Sequence, residues 1–285
     1  MTPQRDFLVE QPTHSDEVVI NFPAEHVLVI VMNRQASLNA MTPQMETDIK
    51  NCLNWFDSEP SLWVAIITGT GRAFCAGADL KAWNTKQQGG QSDEQERIAS
   101  SPHGFGSISR RVSSKPILAA VNGGAFGGGV EMVMNCDLVI ASDEAVFSLP
   151  EVKRGVIAAQ GVIPRLRAVA GHQLASEMLL LGRTISAAEA QQRFGFVNSV
   201  VPKERVLQTA IEWATQIAAN SPDAVQSTKR GLILAAQHGD VERAVIAHAW
   251  SAESKRAYKG NNIKEGLKAF SEHKRKPNWS NPAKL

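Results

Sequence analysis

Short runs of apolar, β-branched residues punctuate the first two thirds of the chain. Residues 18–22 and 27–32 are two such runs, split by Pro23-Ala24-Glu25-His26, which predicts a strand, a turn and a second strand. Thr42-Pro43 then opens a helix in which Met45, Ile49, Leu53 and Phe56 recur at helical spacing until Pro60 stops it. Buried strands are expected at 63–68, 117–121, 138–141 and 145–148, with helical patterns between them. Strands alternating with helices predict an α/β fold with mainly parallel pairing, although the early hairpin breaks strict alternation. Residues 84–97 contain Gln87-Gln88-Gly89-Gly90-Gln91 and no large apolar side chain to dock on a core, so a mobile loop is expected there.

From about residue 185 the pattern turns helical, at 187–193, 205–220, 222–237, 241–258 and 263–273, interrupted by a short strand at 197–201. The shift divides the chain into a flexible segment (1–16), an α/β core (17–200), a helical C-terminal region (201–279) and a tail (280–285). No internal repeat is visible.

With 285 residues, 43% of them hydrophobic, the chain can bury a full core. Its longest apolar runs fall far short of the roughly 18 to 20 residues a membrane span needs. The N-terminus is polar, with Asp6 and Glu10, and lacks the pattern of a secretory signal, so an intracellular protein is expected. Three widely spaced cysteines (Cys52, Cys75, Cys136) fit neither a disulfide framework nor a zinc knuckle, and seven scattered histidines show no ligand spacing. No metal is expected.

Net charge is +2 but uneven: residues 255–284 hold nine Lys/Arg against two acids. Such a run is either a solvated helix face or a surface for ligand phosphates, nucleic acid or membrane. Few aromatic residues interleave with it, which argues against nucleic acid as a partner. The terminal Ala283-Lys284-Leu285 is a small-basic-leucine ending similar to the peroxisomal address.

Candidate chemistry sits in two glycine-marked turns after strands. One is Gly71-Arg72-Ala73-Phe74-Cys75-Ala76-Gly77-Ala78-Asp79-Leu80-Lys81; the other is Asn122-Gly123-Gly124-Ala125-Phe126-Gly127-Gly128-Gly129-Val130-Glu131. Three glycines opening a helix let backbone approach a ligand and leave the first amides unpaired, which builds an anion hole or simply a tight turn with close helix packing. The nucleotide-binding glycine patterns are absent. Glu131 is either an acid beside that hole or a first-turn glutamate complementing the helix dipole. Twenty residues on, Pro150-Glu151 leaves another strand. Two carboxylates converging on one oxyanion site could hold a water, take one proton from it and deliver another.

These segments, with Val121-Asn122-Gly123, Cys136-Asp137-Leu138 and Pro150-Glu151, resemble the crotonase (enoyl-CoA hydratase/isomerase) superfamily in order and spacing from about residue 18 to 279. The resemblance implies a spiral of β-β-α turns with a helical trimerisation region, assembled as a homotrimer or a hexamer of two trimers. It implies an oxyanion hole at the backbone amides of Ala78 and Gly128, and catalytic carboxylates at Glu131 and Glu151, with Glu151 donating the proton to Cα. Ala76, Asp79, Leu80, Lys81 and Gly127 would border the substrate, Lys81 reaching the CoA portion. Coenzyme A would be part of the substrate, and no separate cofactor is implied. Both carboxylates are present, as in hydratases, so water addition to a 2-enoyl-CoA is the leading reaction. Isomerisation, or dehydration of a specialised acyl group such as a carnitinyl-like or secondary-metabolite one, is the alternative. RNA binding, known in some relatives, is a minor one. The chain departs from the family pattern at Gly155-Val156-Ile157-Ala158-Ala159-Gln160-Gly161-Val162, beside the expected acyl pocket, so a straight-chain acyl group is not assumed.

Overall fold

The computed structural model describes residues 7–78, 94–272 and 275–283. Its frame is a six-stranded sheet in the order β1-β2-β3-β5-β7-β10: β1 (Val18–Asn21), β2 (Val27–Met32), β3 (Val64–Gly69), β5 (Ile117–Val121), β7 (Leu138–Ser142) and β10 (Ser199–Val201). Only β1 pairs antiparallel, Val18 opposite Met32; the other neighbours are parallel. A second sheet in the order β4-β6-β8-β9 is made of three-residue strands: β4 (Ala73–Cys75), β6 (Gly124–Phe126), β8 (Val146–Ser148) and β9 (Thr184–Ser186). In the central turns the chain runs from a large-sheet strand to a small-sheet strand and then to a helix or helical turn before stepping across. That is the expected β-β-α spiral.

Both faces of the large sheet are covered, which is why its strands read as continuous apolar runs. Leu28, Ile30 and Met32 of β2 point to one side and join Met45, Ile49, Leu53 and Phe56 of α1 (Pro43–Ser58). Val27 and Val29 point to the other, and with Ile66, Leu118 and Ile140 they meet Val206, Ala210 and Ala214 of the helix Val206–Ala218. The period-two alternation of a strand therefore splits one apolar run between two cores. Thr42 caps α1 as expected, its side chain accepting from the Met45 amide at 3.0 Å.

Several elements differ from the sequence reading. Strands β4, β6 and β9 were hidden, because three residues carry no period. Residues 84–93 of the expected loop lie outside the described residues, while 94–97 open α2 (Glu94–Ser100). The three glycines open α3 (Gly128–Val133) as expected, but after β8 the chain turns helical earlier than 185, in α4 (Val162–Ala170) and α5 (His172–Leu181), before α6 (Ala187–Gln192). After α7 (Val206–Ala218) and α8 (Pro222–Gln237), the expected helix 241–258 is two, α9 (Val241–Ala249) and α10 (Ala252–Lys259). Ser251 divides them by accepting the Ser254 amide as a new N-cap. The last helix is α11 (Asn261–Ser271). Among the described residues no helix is long and apolar enough to cross a membrane, and the three cysteines are free thiols.

Candidate active site

The ends of β4, β6 and β8 lie side by side, and each delivers one part of a single cleft of about 210 Å³. After β4, Ala76, Gly77 and Ala78 form one wall. Their path is fixed by the Ala76 amide bonding to Leu38 O (3.0 Å) and by Gly77 O accepting from the Met41 amide (2.9 Å). Gly77 has φ +88°, and a Cβ there would lie 2.8 Å from Phe126 O, so both the torsion and the closeness of β6 require glycine.

After β6, Gly127 (φ +54°) turns the chain into α3, and the Gly127 amide is tied to Ser148 O at 2.9 Å. A Cβ on Gly127 would come within 2.9 Å of Glu151 Oε1, and one on Gly128 within 2.5 Å of the Phe105 ring. The glycines thus leave room for a carboxylate and for an aromatic wall. The amides of Ala78 and Gly128 have no acceptor among the described residues. Two unpaired N–H groups on one apolar-walled cleft are suited to an oxygen that gains negative charge.

Glu131, one turn into α3, is only 3% exposed. Its Oε1 accepts from the Gln160 amide at 2.7 Å and faces the Val162 amide at 3.5 Å. Burial pushes its carboxyl up to about 7; those two amides and Arg165 oppose the shift, while Glu151 adds to it. Glu151 begins a 3₁₀ turn (Glu151–Arg154) right after Pro150. Its carboxyl is also raised, by burial, with Arg154 pulling the other way. Glu151 Oε2 is buried without a hydrogen-bond partner among the described residues. Two carboxyls displaced upward on one cleft can share a proton near neutrality, one acting as acid while the other is a base.

The cleft thus gathers Ala76, Ala78, Gly127, Gly128, Glu131 and Glu151; Asp79, Leu80 and Lys81 lie outside the described residues. The sequence reading missed Phe105, Ile98 and Phe126 as walls, and missed that Gln160 reaches the cleft while its amide braces Glu131. Gln160 falls in the main segment that departs from the family pattern, which was the available signal. No group of three or more His, Cys, Asp or Glu that could hold a metal occurs among the described residues.

Fold and cleft together define a crotonase-type protein, in which Ala78, Gly128 and two carboxyls line one cleft. The profile of the enoyl-CoA hydratase/isomerase family matches residues 23–282, and the chain belongs to that family. It is 45% identical over 269 residues to the mevalonyl-coenzyme A hydratase sidH of Aspergillus fumigatus, covering 94% of this chain and 96% of that one. The mevalonyl-coenzyme A hydratase SIDH of Beauveria bassiana is 43% identical over 278 residues, covering 95% and 97%. The crystal structure of enoyl-CoA hydratase from Mycobacterium tuberculosis H37Rv superposes with a TM-score of 0.83 at 31% identity, covering 94% of this chain and 100% of that one.

Proposed function

We propose that this chain is a hydro-lyase that interconverts a 3-hydroxyacyl-CoA and its 2-enoyl-CoA, and that its acyl group is of the mevalonyl type. One observation carries the reaction: Glu131 and Glu151 line the same cleft as the unpaired amides of Ala78 and Gly128. The likeness to two mevalonyl-coenzyme A hydratases at 43–45% identity supports the acyl group.

In the dehydrating direction the thioester oxygen accepts from the Ala78 and Gly128 amides. Glu151, as carboxylate, takes the proton from Cα, and the charge moves to the thioester oxygen as an enolate. The C–O bond at Cβ then breaks, and Glu131, as the acid, gives its proton to the departing hydroxyl, which leaves as water. Hydration is the reverse, with Glu131 accepting a proton from water and Glu151 donating to Cα. Holding one carboxyl protonated and the other ionised at the same pH is what their raised proton affinities allow.

The C-terminal helices support a homo-oligomer of the trimer or hexamer kind: Trp250 is 87% and Phe270 81% exposed in the single chain, with Val241 and Leu267 also uncovered. The terminal tripeptide supports delivery to peroxisomes, which a fluorescent fusion with and without Ala283-Lys284-Leu285 would test.

The deciding experiment incubates the protein with crotonyl-CoA and with mevalonyl-CoA, following the conjugated enoyl absorbance and the product mass. A change of one water that disappears in Glu151→Gln is the expected result. An unchanged mass with a moved double bond would replace hydration by isomerisation.

A further inference from the structure

The cleft continues beyond the two glutamates in two directions of opposite character. Past Glu151 and Ile157 lies an apolar cavity of about 340 Å³, walled by Leu149, Val152, Ile163 and Leu179. Past Ala78, Phe105 and Gln160 lies another of about 300 Å³, whose lining includes Thr42, Glu46, Lys50, Ser101 and His103. This second cavity has a mixed polar and apolar lining that carries both signs of charge, so it does not select an anion.

Two residues that line this cavity each carry a buried polar atom with no hydrogen-bond partner among the described residues: Gln160 Oε1 and His103 Nδ1. Gln160 is 9% exposed, and its backbone is fully engaged, the amide donating to Glu131 Oε1 (2.7 Å) and the carbonyl accepting from Ser109 Oγ (2.8 Å). Its side-chain oxygen has no hydrogen-bond partner among the described residues. A buried amide left unbonded is costly, so such groups normally have a partner. Burial and the charge of Arg111 lower the proton affinity of His103, which keeps the ring neutral, with one N–H and one lone pair to offer. An alkyl chain entering here would bury both groups dry. A hydroxyl, being both donor and acceptor, would satisfy them.

We propose that Gln160, with His103, forms a subsite that recognises a hydroxyl carried on the acyl chain beyond Cβ, which makes Gln160 a specificity-determining residue for hydroxylated acyl-CoA thioesters. The inference rests on the reading of the chain as an acyl-CoA hydro-lyase. Because the Gln160 backbone bonds to the Glu131 carboxylate, its side chain starts at the reacting centre and reaches a group only a few bonds further on. A mevalonyl group, 3,5-dihydroxy-3-methylpentanoyl, carries such a hydroxyl two carbons past Cβ.

The test compares mevalonyl-CoA with 3-hydroxy-3-methylpentanoyl-CoA, which has the same carbon skeleton and lacks only that hydroxyl. Turnover of both is measured for the unmutated protein, Gln160→Leu and His103→Leu. Affinities for both are measured by calorimetry with the same substitutions in a Glu151→Gln background, where turnover is blocked. The unmutated protein should favour mevalonyl-CoA in kcat/KM by about 10- to 100-fold. Each substitution should shrink that preference to within about threefold; because Gln160 also lines the cleft and braces Glu131, the readout is the ratio between the two thioesters and not the activity on either. Gln160→Leu breaks no side-chain hydrogen bond seen among the described residues, and His103→Leu checks the subsite from its other member. No preference in the unmutated protein, or an equal loss on both thioesters, overturns the subsite. If the unmutated protein turns over neither thioester, the hydro-lyase reading fails instead, and the affinity ratio decides the subsite by the same criterion. Failure to bind either overturns both.

Discussion

Replacing Glu131 by Gln should make the protein more stable in alkaline solution and change it little in acid. The folded environment raises this carboxyl from 4.5 to about 7, chiefly by burial. The folded state therefore holds a proton that the unfolded chain releases. The group's contribution to stability is fully present below about pH 4.5 and is lost as pH rises to about 7, after which the deficit is constant. At 1.36 kcal/mol per pH unit of displacement, the deficit at pH 8.5 is about 3 kcal/mol, against about 1 kcal/mol or less at pH 5. A glutamine cannot ionise, and its amide oxygen can still accept from the Gln160 backbone, so the variant escapes the deficit while keeping the brace. Urea unfolding of both proteins at pH 5 and pH 8.5, at one fixed protein concentration, measures the difference. A stability difference that does not grow with pH, or a variant less stable than its parent at pH 8.5, would refute the burial argument.

Three further outcomes are expected. The pH profile of kcat/KM should be bell-shaped: at low pH both carboxyls are protonated and no base remains, while above neutrality both ionise and no acid remains, so a profile flat from pH 5 to 9 would sink the acid–base pairing. Gly128→Ala should lower kcat/KM at least about 100-fold, because a Cβ 2.5 Å from the Phe105 ring must displace either the ring or the amide. Unfolding should show a modest loss of about 1–3 kcal/mol, the usual range for overpacking; full activity would mean this amide holds no oxyanion. Sedimentation should find an oligomer that Phe270→Asp combined with Trp250→Asp weakens by at least tenfold in dissociation constant, since both side chains are almost wholly uncovered in the single chain; a monomer at micromolar concentration would remove the oligomer reading.

What could be read from the sequence had a local cause. The large-sheet strands announced themselves as β-branched runs because both faces are buried, and α1 because Thr42 and Pro43 mark its start. Gly128, Glu131 and Glu151 stood out through their order and spacing together, which resemble the family; a glycine triplet or a first-turn glutamate alone has common structural uses. The unread parts depend on pairings distant in sequence. Strand β4 exists because β6 lies beside it, and its loop is held by Asn39 and Asn122, whose side chains both donate to Ala73 O. The Phe105 ring over Gly128 likewise follows from folding, and no pattern in the chain announces it; Gln160 was marked only by lying in a segment that departs from the family pattern.

The small sheet also acts as a ruler. Neighbouring strands stand about 4.8 Å apart, so the groups at the ends of β4, β6 and β8 are spaced by the ladder itself, independent of the side chains they carry. A thioester oxygen can be gripped between the first two ends while the third presents whatever residue follows β8. Exchanging that residue, or lengthening the segment after it, would alter the chemistry or the acyl group and leave the grip on the thioester undisturbed. Such a scaffold can acquire new reactions one strand end at a time.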